Sequence, residues 1–249
     1  MRKLIIGDIH GEYDKLIEVL HKAEFNKYDL LYSVGDFCDR GDKNLEVLEY
    51  LMSLDNFRAV RGNHDVWLYN YLFMEYPDRI WMDNGGYKTY NQIKDLSKEK
   101  KNEILVWLSK LKYTIYEEEF MIVHGGPYSE EIIKFLSSYE IDGRDSACDH
   151  EGNIVWDRSY FSSAYLDSKL EPGCDLPNEE ERYYLRNFKV GPINTDKDIF
   201  IGHTPVQKLT EEMKPFINER YHLINVDTGS GKGGVLTLMD MKTKEYWQA

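Results

Sequence analysis

Five short apolar runs fix the frame of this chain, because each ends at a glycine beside a side chain able to bind a metal ion. They are LIIGDIHG, LLYSVGD, FRAVRGNHD, FMIVHGG and IFIGHTP, and they carry Asp8, His10, Asp36, Asn63, His124 and His203. Runs this short, rich in branched residues and bounded by breakers, read as buried strands. Strand, loop with a polar residue, then a helical pattern recurs along the chain, as an α/β layer requires. The polar residues are therefore expected to gather at strand ends along one sheet edge, where open α/β sheets bind ligands.

Each fragment taken alone has a plainer reading. An Asp at a strand end is usually a turn former or helix cap, and a lone His is usually a hydrogen-bonded core residue. Repetition of the same pattern in five places favours a shared site. Carboxylates, imidazoles and one side-chain amide, with no thiolate, suit divalent ions such as manganese, iron or zinc.

Between the runs, Leu16, Val19, Leu20 and Ala23 fall at helical spacing within Glu12 to Ala23. Asn44 is expected to cap a second helix carrying Leu45, Leu48, Leu51 and Met52. The aromatic group from Trp67 to Tyr76 reads as core, and Lys98 to Lys101 as a solvated helix start. INVDTGSGKGG fails the phosphate-loop pattern, since Gly231-Lys232 lacks a following Ser or Thr. It reads instead as a strand-to-strand loop near the site, with VLTLMDM continuing as a strand. The stretch Ser159 to Asp198 holds Tyr160, Phe161, Tyr165, Tyr183, Tyr184 and Phe188 around Pro172, Gly173 and Pro177. A lid or substrate wall and a helical excursion packed on the body are both open for it.

The 249 residues, 42% of them apolar, suffice for one large α/β domain spanning 1–249, and no internal repeat interrupts it. With 31 basic against 44 acidic residues the net charge is −13, which argues against a general nucleic-acid or anionic-membrane surface. Cys38, Cys148 and Cys174 form no CxxC pair and leave an odd count, which favours reduced thiols. Cys38 is expected to pack as a small hydrophobe. MRKLIIGD is too short for a secretory signal and no run reaches membrane-spanning length, so a cytoplasmic protein is expected.

The motif order GDIHG, GDFCDRG, GNHD, HGG, GHTP resembles the calcineurin-like metallophosphoesterases, and within them the phosphoprotein phosphatase type, from Leu4 to about Gly234. The resemblance implies an α/β fold, a β-sandwich flanked by helices, around two divalent ions, with manganese the first choice. It implies that Asp8, His10 and Asp36 hold one ion, and that Asp36, Asn63, His124 and His203 hold the other. Two such cations roughly 3.5–4 Å apart activate water for in-line attack on phosphorus. Arg40 and Arg158 are implied to bind phosphate, Arg158 through IVWDR, which is similar to a tryptophan-x-arginine signature of bacterial members. Arg61 is a third candidate, since an arginine fork matches phosphate. His64 is implied as the general acid, oriented by Asp39.

The reading drawn first is a serine/threonine protein phosphatase acting on phosphomonoesters. Its alternative is a symmetrical diadenosine tetraphosphatase, or another nucleotide or nucleic-acid-end phosphatase, so the partner is a phosphorylated protein or a small phosphoester. A non-catalytic module of the same fold is a third reading, against which the complete ligand set stands together with His64, Arg40 and Asp39. Two departures bear on this: Phe37-Cys38 replaces a commonly aliphatic position, and Asp65 stands where phosphoprotein phosphatases usually carry Glu. The latter weakens the case for protein substrates. No counterpart of the C-terminal segment that eukaryotic members use on phosphopeptides is seen, and the resemblance is to compact bacterial and phage forms. Oligomeric state is left open.

Overall fold

The apolar runs form two mixed five-stranded sheets in a computed structural model that describes residues 1–127, 129–138, 154–169, 179 and 190–249. The first sheet has the order β10 (Tyr246–Gln248), β9 (Thr237–Asp240), β1 (Lys3–Ile6), β2 (Leu30–Ser33), β3 (Phe57–Ala59). The second has the order β4 (Thr114–Tyr116), β5 (Phe120–Val123), β6 (Asp198–Ile201), β8 (Leu223–Asn225), β7 (Phe216–Asn218). In the first sheet β1, β2 and β3 run parallel, with Leu4 opposite Leu31 and Leu31 opposite Phe57. In the second, β5, β6 and β8 run parallel, with Ile122 opposite Phe200 and Phe200 opposite Ile224. The remaining strands pair antiparallel at the edges.

The central strands read as largely apolar runs because both faces of each sheet are covered there. Side chains alternate across a strand, so successive residues enter different cores. Ile5, Tyr32, Phe120, Ile122, Phe200, Ile224 and Met239 meet between the sheets. Their neighbours Leu4, Ile6 and Leu238 face one helical layer, while Met121, Val123, Ile199, Ile201 and Leu223 face the other. The result is the expected sandwich flanked by helices.

The first layer holds α1 (Tyr13–Lys22), α2 (Asn44–Met52) and α3 (Asn63–Met74), followed by the single turn α4 (Arg79–Trp81), α5 (Tyr87–Ile93) and α6 (Lys98–Ser109). Leu16, Val19 and Leu20 of α1 are buried, and Ala23 lies just past its end, as the periodicity predicts. Trp67, Tyr69 and Tyr71 of α3 are core, whereas Tyr76 is exposed. Lys98 starts α6 at an exposed position, with Ser97 as its side-chain cap.

Asn44 corrects the expected cap. It is the first residue of α2 and makes no cap bond; its Nδ2 donates to the carbonyl of Gly41 at 2.9 Å and ties down the loop of the second motif.

The second layer holds α7 (Glu130–Leu136) and α8 (Ser159–Ser168). Tyr160, Phe161 and Ala164 of α8 pack into the core over the second sheet, and Tyr160 Oη donates to the Tyr221 carbonyl at 2.8 Å. The first part of the Ser159 to Asp198 stretch is thus a helix packed on the body. Pro172, Gly173, Pro177, Tyr183, Tyr184 and Phe188 lie outside the described residues, as do Cys148 and Cys174. No helix among the described residues is long and apolar enough to cross a membrane.

Candidate active site

Every candidate ligand follows the C-terminal end of a parallel strand: Asp8 and His10 after β1, Asp36 after β2, Asn63 after β3, His124 after β5 and His203 after β6. The two sheets therefore deliver their polar residues to one common edge. The turns that do so are strained. His10, Asp36, Asp39, Arg40 and His203 all adopt positive φ between 50° and 76°, a region that costs a non-glycine residue about 1 kcal/mol or more. Gly62 is needed for close approach, because a Cβ there would fall 2.0 Å from Asp36 Oδ1.

Asp8, His10, Asp36, Asn63, His64 and His124 are each no more than 2% exposed. Two groups of side chains bring their donor atoms within 4.8 Å of one another: His10, Asp36 and His64, and Asp36, His124 and His203. Asp36 belongs to both. Asp8 stands beside the first group, its Oδ2 lying 3.9 Å from His10 Nε2, and its carboxylate accepts the backbone N–H of His203 at 3.1 and 3.2 Å.

The backbone sets which imidazole nitrogen faces inward. His10 Nδ1 donates to the Cys38 carbonyl at 2.9 Å and His124 Nδ1 to the Val34 carbonyl at 2.7 Å. Both Nε2 atoms are left facing the cluster. His124 Nε2 then lies 3.2 Å from Asn63 Oδ1 and 3.3 Å from Asp36 Oδ2. Three acceptors meet there, and only a cation or a proton reconciles them. His203 Nε2 is buried without a hydrogen-bond partner.

The charges repeat the message. Burial and the neighbouring Asp227 and Asp36 push the Asp8 carboxyl well above its usual range. Burial also raises Asp36, but His124 and His64 outweigh it and hold that carboxyl well below the usual value. Burial lowers His124, yet Asp36 and Asp8 reverse this and lift it to about 9. His203 is held well below its ordinary value by burial and by His124 and Arg158. Carboxylates this deeply buried need compensating positive charge, and the oxygen and nitrogen donors present fit divalent ions. Arg40 shows the same need, since its Nη1 sits against His10 Nε2 and its Nη2 lies 2.8 Å from His64 Nε2.

His64 and Asp39 form a dyad. His64 Nδ1 lies 2.5 Å from Asp39 Oδ2, and His64 Nε2 points to the open side with Arg40. Asp39 is held in turn by Trp81 Nε1 at 2.7 Å and Thr89 Oγ1 at 2.5 Å. Arg158 is half-buried, its Nη1 donating to Thr204 Oγ1 at 2.8 Å. It makes no pair with Asp157, whose carboxylate binds the first turn of α8 through Ser159; Glu151 lies outside the described residues.

Arg61 is a correction. Its guanidinium donates to the carbonyls of Leu108 and Leu111 and lies 5.0 Å from the Tyr113 ring, so it anchors the end of α6 and faces away from the cluster. Strand parity carries the reason: Phe57 and Ala59 face the helices and Val60 faces the partner sheet, so Arg61 returns to the helical side. Asp65 is also a scaffold residue. Its carboxylate accepts the backbone N–H groups of Asp36, Phe37 and Gly62 at 2.7, 3.0 and 2.8 Å, and burial and Asp36 raise it to about 7. The Glu-to-Asp departure thus concerns loop clamping.

One residue escaped the sequence reading. Asp227 follows β8, is 2% exposed, and has an Oδ2 without a partner. Its fragment, LINVDTG, is again an apolar run that ends at a residue able to bind a metal ion, and that pattern would have found it.

A buried cluster so short of positive charge, with two arginines at its open side, fits one class of chemistry: metal-dependent hydrolysis of phosphoric esters. The sequence profile of the calcineurin-like phosphoesterases matches residues 1–226, and the chain belongs to that family. A symmetrical bis(5'-nucleosyl)-tetraphosphatase of Vibrio parahaemolyticus is 26% identical over 282 residues, covering 99% of this chain and 98% of the relative. That of Buchnera aphidicola is 27% identical over 287 residues, covering 99% and 97%. A crystal structure provisionally named a diadenosine tetraphosphatase matches with a TM-score of 0.63 over 100% of this chain and 92% of that one, at 18% identity, a likeness of fold alone. These relatives favour the nucleotide alternative over the serine/threonine phosphatase reading drawn first.

Proposed function

We propose that the chain hydrolyses dinucleoside polyphosphates of the diadenosine tetraphosphate type. The observation that carries this is the end-to-end match to symmetrical bis(5'-nucleosyl)-tetraphosphatases, 99% of this chain against 98% of the relative. A phosphoprotein is the second substrate reading, and the clamping role of Asp65 keeps it open, since that residue does not face substrate.

In this reading Asp8, His10 and Asp36 hold one divalent ion and Asp36, Asn63, His124 and His203 hold the other, with manganese the first choice. When bound, such a pair supplies Lewis acidity toward phosphoryl oxygens and acidifies water. Arg40 and Arg158 bind the equatorial oxygens of the attacked phosphate, a task suited to planar forks. The water oxygen bonds to phosphorus and loses a proton to solvent, the bridging oxygen leaves with its electron pair, and His64 Nε2 gives that oxygen a proton and is reprotonated from solvent afterwards. Asp39 holds His64 Nδ1 and steadies the imidazolium, as the short contact between them supports. We further read 1–249 as one domain and the setting as cytoplasmic, in keeping with the buried thiol of Cys38, which burial and Asp39 hold protonated.

A manganese-supplemented panel tests the proposal. Diadenosine tetraphosphate, phosphoserine, phosphothreonine and phosphotyrosine peptides and 3'-phosphorylated oligonucleotides would be compared by kcat/KM. The dinucleotide should lead and give two nucleoside diphosphates; a phosphopeptide in the lead would move the assignment to the second reading.

A further inference from the structure

More cations stand at this edge than one phosphate needs. Lys208 ends a 3-10 turn, Val206–Lys208, three residues beyond Pro205 of the GHTP motif. That turn is docked on the loop after β8: Val206 N donates to the Asp227 carbonyl at 3.0 Å and Gln207 Nε2 to the Thr228 carbonyl at 2.5 Å. Lys232 stands on the same loop, inside a turn closed by Gly234 N donating to the Gly229 carbonyl at 3.0 Å. The loop is pressed against the candidate metal ligands, because a Cβ at Gly231 would fall 2.5 Å from His10 Cβ and 3.4 Å from Arg40 Cβ. Both lysines are therefore carried on segments pinned to the site.

Between them lies a cavity of about 240 Å³, lined by Pro205, Lys208, Met213, Gly229, Lys232 and Gly234. It begins two residues past His203. Among the described residues neither ammonium has a side-chain hydrogen bond or an ion pair. Both side chains are exposed, and their charges feel the neighbouring cations: desolvation, then Arg40 and Lys208, lower the pKa of Lys232, and desolvation, then Arg158 and Arg40, lower that of Lys208, with Asp227 opposing in both cases. In a chain of net charge −13, Lys208 and Lys232 add to Arg40 and Arg158 beside a glycine-walled cavity; the buried Asp227 attracts both lysines but is ion-paired to neither, and four cations so placed suit a polyanion.

We propose that Lys208 and Lys232 form a second anion subsite, which binds the phosphates of a polyphosphate substrate beyond the one attacked. The proposal rests on the dinucleoside polyphosphate reading for its biological substrate. It explains why the positive charge extends past Arg40 and Arg158: a monoester ends at the metal centre, whereas a phosphate chain continues and carries further negative charge with it.

Inorganic tripolyphosphate and orthophosphate serve as probes. Each would be titrated as an inhibitor of p-nitrophenyl phosphate hydrolysis, and by calorimetry, against the metal-loaded wild-type protein and the Lys208→Ala, Lys232→Ala and double variants. Chelation of free metal affects all proteins alike and cancels in the ratios. The double variant should weaken tripolyphosphate about tenfold more than orthophosphate, the gap should shrink as salt rises, and Lys232→Arg should restore most of it. If tripolyphosphate and orthophosphate weaken equally, or neither changes, the subsite is wrong and the lysines serve only solubility. The substrate reading fails separately: a protein inactive on diadenosine tetraphosphate whose tripolyphosphate preference still depends on the two lysines would keep the subsite and lose the proposed substrate.

Discussion

Asp36 is the residue on which the two ligand groups depend, since its carboxylate belongs to both and also accepts the backbone N–H of His64 at 3.0 Å. Asp36→Asn should therefore remove bound metal and activity together, as read by metal analysis of the purified variant. Arg158→Ala should leave the metal content intact and weaken kcat/KM, because Arg158 contacts Thr204 and no candidate ligand side chain. An Asp36→Asn protein with two tightly bound ions and normal turnover would end the shared-carboxylate assignment. The dyad invites a different measurement. General acids are typically worth 10²–10⁴-fold, and most for poor leaving groups. His64→Asn should thus slow an alkyl phosphate about a hundredfold more than p-nitrophenyl phosphate, and Asp39→Asn should show the same pattern more weakly. Equal losses on both substrates at unchanged metal content would reduce His64 to a positioning residue.

At the scale of elements, the central strands were legible because they are buried on two faces, so an apolar run needs no alternation to be recognised; the edge strands β4, β7 and β10, short and partly exposed, carry no such run and were not. The candidate ligands come to one edge for the same reason: each stands where such a run stops. What failed was direction. Asn44 has the right type for a cap, but its amide serves the Gly41 carbonyl, and a sequence does not state which backbone group lies nearest. Arg61 sits beside a ligand in sequence and points the other way in space, which strand parity predicts once β3 is placed. Asp227 follows an apolar run but lies between Val226 and Thr228, with no glycine beside it to mark the end of the run as there is at Asp8, Asp36, Asn63, His124 and His203. Arg61 gives the test for this scale. Arg61→Ala should take the side-chain donor from the Leu111 carbonyl, just past α6, and one of two donors from the Leu108 carbonyl, which keeps the Leu111 N–H, at a cost of about 1–3 kcal/mol. For a chain of this size that is a fall in Tm of roughly 2–4 °C per kcal/mol. A variant of unchanged Tm whose KM for phosphoesters rises sharply would return Arg61 to the phosphate-binding set.

For the whole molecule, the two sheets meet at an edge where Asp8, Asp36, Asp65 and Asp227 are all nearly inaccessible to water, so stability and metal loading are linked through pH. In the metal-free protein His124 is raised to about 9 from an ordinary 6.5. A histidine raised on folding stabilises the fold fully below its unfolded value, and that contribution fades as pH climbs from 6.5 through 9. Asp65, raised to about 7 from 3.8, acts in the same sense over a lower window, since its protonated form is the one the metal-free fold prefers. The metal-loaded protein needs neither proton, because a cation supplies the positive charge and His124 must be neutral to bind it. Metal affinity should therefore rise with pH between 6.5 and 9, by up to about tenfold per unit for each proton displaced. Thermal unfolding with manganese in excess and with chelator, at several pH values across that window, measures it directly. The Tm gap between the two states should widen as pH rises, and a ligand present at about a hundred times its Kd adds about 2.7 kcal/mol to the loaded form. A gap that stays constant, or narrows toward pH 9, would mean that no proton is exchanged for metal at His124 and that this histidine is a core residue.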